Sequence, residues 1–191
     1  MKNFSHTAVL IFTRYIVFIL LTICVGVGGY KINRYLKFRL PANLQEYVKD
    51  SIKITITPAY EYSFSLMNVG VIQHIDRKFT YDVIPRELLE GILFQGIHKP
   101  PKGTQISIDL KAPMDVYFFF HSNANGGLTQ IFKTLQGWEI CKTAPKYDIY
   151  NGDHGLNMIM YHLKAKKGRY VIPQTSKKRA CFSIVFKPIN K

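Results

Sequence analysis

The turn Tyr150-Asn151-Gly152-Asp153-His154-Gly155 sets a carboxylate beside an imidazole between two glycines. An Asp–His pair can exchange a proton with a substrate or hold a metal ion. Neighbouring side chains usually point apart, however, and glycine-flanked Asn and Asp are ordinary turn formers, so a plain turn is the favoured reading. A second polar loop, His121-Ser122-Asn123-Ala124-Asn125-Gly126-Gly127, follows an aromatic run and offers amide groups suited to a sugar or a peptide. With the sole tryptophan, Trp138, these loops give the expected ligand-binding set: Asn123, Asn125, Trp138, Asp153 and His154. The plainer alternatives are a loop that starts a helix at Leu128, and a tryptophan buried beside Leu135 and Ile140 as core.

Signatures of catalysis fail one by one. The chain has no Gly-x-Ser-x-Gly, no Walker A loop, no His-Glu-x-x-His and no Cys-x-x-Cys. His74, His98 and His162 lack a second ligand at metal-site spacing. Cys141 and Cys181 sit beside Ile140 and Phe182, which suits inert packing more than an activated thiolate. A single Cys141–Cys181 bridge in an oxidising compartment stays open, with two buried free thiols favoured. No catalytic residue, metal or cofactor is therefore expected.

Charge points to anionic partners. The formal net charge is +14, and residues 1–45 contain no Asp or Glu while Lys2, Arg14, Lys31, Arg34, Lys37 and Arg39 are all basic. Two further basic turns, Lys164-Ala-Lys166-Lys167-Gly-Arg169 and Lys177-Lys178-Arg179, could meet lipid head groups or phosphates, with solvated turns as the alternative. Only Tyr170 is interleaved with these charges, so nucleic acid is not an expected partner.

The elements that must position these groups begin with a membrane segment. From Ala8 to Tyr30 the only charge is Arg14, and residues 15–29 carry none. A helix over residues 8–30 is long enough to span a bilayer, with Arg14 snorkelling at one end and residues 1–7 as a tail. A cleaved signal peptide is the rival, disfavoured by the long polar stretch that ends at Arg14. Thr22, Gly26, Gly28 and Gly29 would let a second transmembrane helix approach closely. The basic residues behind the span leave the C-terminal domain on the cytoplasmic or matrix side, which agrees with the absence of a glycosylation sequon after Asn3. The organelle stays open between the mitochondrial inner membrane and the endomembrane or plasma membrane.

A basic linker and short helix fill residues 31–50. Asn43 and Glu46 have capping-box spacing and predict a helix over Leu44 to Lys49. Period-two alternation then takes over at Ile52, Ile54 and Ile56, and again at Tyr60, Tyr62, Phe64 and Leu66. Further strands are predicted over residues 69–75, 79–84, 88–94, 104–111, 116–121, 138–141, 147–150, 156–163, 170–172 and 180–187, with one helix at 128–135. So many short strands separated by Pro, Gly and Asn turns predict an all-β domain, an antiparallel sandwich over residues 51–191.

The run Ile84-Pro85-Arg86-Glu87-Leu88-Leu89-Glu90-Gly91, then Gly103 to Leu110, Pro113 and Val116-Tyr117, resembles the strand pattern of galactose-binding-like jelly-roll modules. The Gly127 to Trp138 stretch is similar to a tryptophan-bearing segment in some of them. The resemblance implies a jelly-roll-like two-sheet sandwich and a ligand site in loops at one end. The expected role is a non-catalytic, single-pass membrane-anchored binding or scaffolding protein, an accessory subunit whose partners are the lipid bilayer and other membrane-protein subunits. The alternative is a membrane-anchored domain that binds a glycan or another ligand, or that acts on a carbohydrate.

Overall fold

The computed structural model describes residues 38–101, 103–121, 128–148, 158–172 and 182–189. The chain divides into two compact units, Met1–Phe38 and Arg39–Lys191, and every element below belongs to the second. The expected membrane helix over 8–30, with Thr22, Gly26, Gly28 and Gly29, lies outside the described residues. No helix among those described is long and apolar enough to cross a membrane.

The unit is a mostly β sandwich of two antiparallel sheets. One has three strands in the order β1–β5–β10: Ile52–Thr57, Gln105–Leu110 and Gly168–Ile172. The other has six, ordered β2–β4–β11–β6–β9–β7: Ser63–Leu66, Ile92–Gln95, Phe182–Pro188, Met114–His121, Met158–Ala165 and Glu139–Ile140. A separate ribbon pairs β3 (Thr80–Val83) with β8 (Lys146–Asp148). Two helices accompany them, α1 (Ala42–Ser51) and α2 (Leu128–Thr134).

Alternation explains the two sheets. In β6, Val116, Phe118 and Phe120 face the main core between the sheets, where they meet Ile106 and Leu110 of β5 and Ile184 and Phe186 of β11. The Phe118 ring stacks on Phe182 at 4.9 Å and lies 4.9 Å from Phe132, which α2 delivers into the same cluster. Leu93, Phe119, Met160 and Val185, the alternate residues of four neighbouring strands, are also buried. They lie under the excursion from Met67 to Leu88, whose Tyr81 packs edge-on against Phe119 at 5.8 Å and shares a 2.7 Å hydrogen bond with the Ser183 hydroxyl. The six-stranded sheet is thus covered on both faces in its middle. Burial without an opposite charge pushes the Tyr81 phenol far above its ordinary pKa, so it stays protonated.

Three sequence expectations change. Residues 69–75 do not form a continuous strand: Gly70 has φ +85°, Val71 N–H turns back to Asn68 O, and pairing with β3 is confined to an isolated bridge between Ile72 and Thr80, flanked by Gln73 N–H to Phe79 O and Tyr81 N–H to Val71 O. The stretch 88–94 becomes strand only from Ile92, since Leu88 closes a 3-10 turn onto Pro85 and Glu90 adopts φ +61°. The α1 helix starts one residue before Asn43, so the capping box does not form. Pro41 is the N-cap, its carbonyl accepts from Leu44 and Gln45, and Gln45 reaches back to Leu40 O at 2.5 Å. Leu40 and Val48 sit in the main core, which makes α1 part of the sandwich unit.

Candidate functional site

An open cleft lies where two loop segments approach each other beside the six-stranded sheet. One wall is Val83 to Glu87, the other Lys142 to Lys146, with Met158 of β9 between them, and the cleft has a volume of about 620 Å³. Local chemistry sets both walls. Pro85 fixes an extended entry and caps the turn Arg86–Leu88, and the fully buried Leu88 anchors that turn so that Arg86 and Glu87 project into solvent. On the second wall Pro145 is buried while Lys142, Thr143 and Lys146 are exposed. The Thr143 hydroxyl donates to Glu87 Oε1 at 3.2 Å and joins the walls.

Beside the cleft, strand register assembles a polar cluster. Tyr117 of β6, His162 of β9 and Glu139 of β7 stand opposite one another. Asp115 Oδ1 lies 2.7 Å from His162 Nε2, and the imidazole stacks on Tyr117 at 4.6 Å. Burial pushes the Tyr117 phenol up to about 12, helped by the Asp115 and Glu87 carboxylates. The Cys141 thiol rises to about 11, first through burial and then through Glu87 and Glu139. Both groups are therefore protonated near neutrality, so the cluster offers hydrogen-bond donors beside an Asp–His pair and no activated nucleophile.

That shift has a measurable outcome. Alkylation of Cys141 by iodoacetamide, followed by peptide mass spectrometry, should be about a hundredfold slower at pH 8 than for an ordinary thiol with its thiolate two pKa units more accessible. The rate should climb with pH up to about 11. The sign follows from the acid: a raised pKa withholds the thiolate until the pH is high. A plateau by pH 9 would overturn it. Cys141 is a free thiol of intermediate exposure.

The sequence-predicted site residues fare unevenly. Asn123, Asn125, Asp153 and His154 lie outside the described residues, as do Lys177, Lys178 and Arg179. Trp138 is half-buried and packs edge-on against Phe132 at 5.0 Å and Phe118 at 6.3 Å, at the margin of the main core. Lys164, Lys166, Lys167 and Arg169 are exposed. Arg169 bonds the Ser107 hydroxyl at 3.1 Å and approaches Asp109 at 3.9 Å. Sequence reading missed the Asp115–His162 pair, because the two residues are 47 apart and only strand register brings them together. The available signal was that Asp115 and Tyr117 interrupt an apolar alternation on one face of β6. Among the described residues, no group of three or more His, Cys, Asp or Glu is placed to hold a metal.

Among solved structures, the chain is similar to part of a beta-glucuronidase from glycoside hydrolase family 2. The TM-score is 0.53 at 14% identity, over 72% of this chain and 14% of that one. At that identity the likeness shows the fold alone, a β-sandwich, and this chain spans a small fraction of that protein's length. No family model and no curated protein matches the sequence.

Proposed function

We propose that the chain is a non-catalytic, membrane-anchored interaction module, an accessory subunit that residues 8–30 hold in a bilayer while the sandwich offers its cleft to a partner subunit. The observation that carries this reading is the cleft itself. Its volume of about 620 Å³ falls within the range of binding sites, and it is open, as suits a length of partner chain. Val83, 53% exposed, supplies an apolar contact. Arg86, Lys142 and Lys146 outweigh Glu87, which favours a partner segment with acidic residues.

The test is native electrophoresis of mild-detergent extracts. The wild-type chain should migrate in an assembly larger than itself, and K142E/K146E should release it as a monomer while leaving its unfolding midpoint unchanged. A wild-type chain recovered only as a monomer sinks the reading.

The second reading has one support, the strand-and-turn resemblance to galactose-binding-like jelly-roll modules together with a fold shared with part of a glycoside hydrolase. Under it the sandwich is a jelly roll that binds glycans through the loops holding Asn123, Asn125, Asp153 and His154. A glycan array without a single hit would remove it.

A further inference from the structure

Strand register collects basic residues on two adjoining corners of the sandwich. Ile52 and Gly168 both pair with Leu110 in the three-stranded sheet, and Ala165 and Pro188 both pair with Met114 in the six-stranded sheet. The chain crosses from β5 to β6 through Lys111-Ala112-Pro113 and from β9 to β10 through Lys166-Lys167. Because β5 pairs with β10 and β6 with β9, these two corners lie side by side. Lys111, Lys164, Lys166 and Lys167 are all exposed there.

The corners are held in place by the fold. The Tyr170 phenol donates to Lys166 O at 2.9 Å, and Lys111 N–H donates to Ser51 O at 2.9 Å, which ties the first corner to the end of α1. The acidic groups of the neighbouring strands are engaged: Asp109 by Arg169 at 3.9 Å and Asp115 by His162 at 2.7 Å. Glu46, Lys49 and Asp50 of α1 are exposed. Ile189, just past β11 at this end, is 47% exposed.

We propose that the paired corners form a docking surface for anionic lipid head groups, which seats this end of the sandwich on the bilayer. This rests on the reading that residues 8–30 lie in that bilayer. Charge complementarity selects the occupant, since lysines on a short rigid corner meet a negative leaflet surface, and an exposed isoleucine beside them suits the interface. Each lysine near such a surface is worth roughly a fivefold change in partitioning. The seat also orients the molecule. β9 runs from Ala165 at the corner to Met158 in the cleft, seven rises of about 3.3 Å, or about 23 Å.

The experiment uses the full chain reconstituted in vesicles of phosphatidylcholine alone, or with about a third phosphatidylserine, read by hydrogen exchange and mass spectrometry. Amides of residues 164–170 should exchange at least fivefold more slowly in the anionic vesicles. High salt and K111E/K166E/K167E should each erase the difference, and the Gln triple variant should reduce it, with unchanged unfolding midpoints. Equal exchange in both lipids, from chain that resists carbonate extraction, overturns the docking surface and leaves the anchor standing. If carbonate strips the chain, the anchor reading fails. Flotation of the chain with anionic but not neutral vesicles then upholds the surface, and flotation with neither overturns it.

Discussion

Replacing Phe118 with alanine should lower the unfolding free energy by about 3–5 kcal/mol, as expected for an aromatic ring removed from a core that cannot collapse onto the space. The ring is fully buried and touches four aromatic neighbours from four segments: Phe120 of its own strand, Phe132 of α2, Trp138, and Phe182 of β11. Phe120 and Phe182 are held by backbone pairing, since they stand opposite each other between β6 and β11, and Phe118 itself stands opposite Ile184 on one side and Tyr161 on the other. The sheet cannot close inward to fill the void. Domain stabilities are of order 5–15 kcal/mol, so one such loss removes much of the margin. Trp138 supplies the probe, as its fluorescence followed through urea unfolding of the detergent-solubilised chain gives the midpoint directly. A loss below about 1 kcal/mol would mean that the cluster repacks and is not the keystone its contacts indicate.

The second large effect comes from adding an atom. Gly91 precedes β4, where a Cβ would sit 2.5 Å from Val185 Cγ1, 3.0 Å from Leu88 O and 3.2 Å from Lys187 Cγ. The Lys187 chain can swing away, but Val185 is a β-branched residue fully buried in a central strand, and the Leu88 carbonyl belongs to the backbone. Gly91→Ala should therefore cost about 1–3 kcal/mol through overpacking. Shortening the obstacle tests the cause, since Val185→Ala should recover part of that cost when combined with Gly91→Ala. A coupling of about 1 kcal/mol is expected in the double-mutant cycle. Strict additivity would place the strain at the backbone contact and not at Val185.

The sandwich was legible in the sequence where a strand has one buried face. Ile52, Ile54 and Ile56 alternate with polar residues, and β1 spans the expected Ile52–Thr57. Legibility failed where burial is two-sided or the backbone turns. Val69 to Ile75 is apolar enough to read as a strand, yet it is a loop pressed on the outer face of the larger sheet, and its Val71 is buried for that reason. The helix at 42–51 was found but its start was misjudged, because it begins at Ala42 behind Pro41 and so takes Asn43 into its first turn. The cleft was not legible, since its walls lie more than fifty residues apart and the β3–β8 ribbon and the Thr143–Glu87 hydrogen bond bring them together. Of the resemblance, the β-sandwich stands, but its run Ile84 to Gly91 is a turn and not a strand, and Trp138, the one aromatic singled out for binding, packs at the core margin.

The place of β11 has a consequence for how the domain is made. The last strand in sequence among the described residues sits in the middle of the six-stranded sheet, between β4 and β6. Until residues 182–188 leave the ribosome, β2–β4 and β6–β9–β7 are two half-sheets with no common edge, each exposing unpaired backbone and the aromatic face of β6. Synthesis from the N-terminus cannot therefore fold this domain progressively. Joining the two halves of the six-stranded sheet therefore waits on β11, whose pairings with β4 and β6 close loops of long sequence separation, a topology that slows folding.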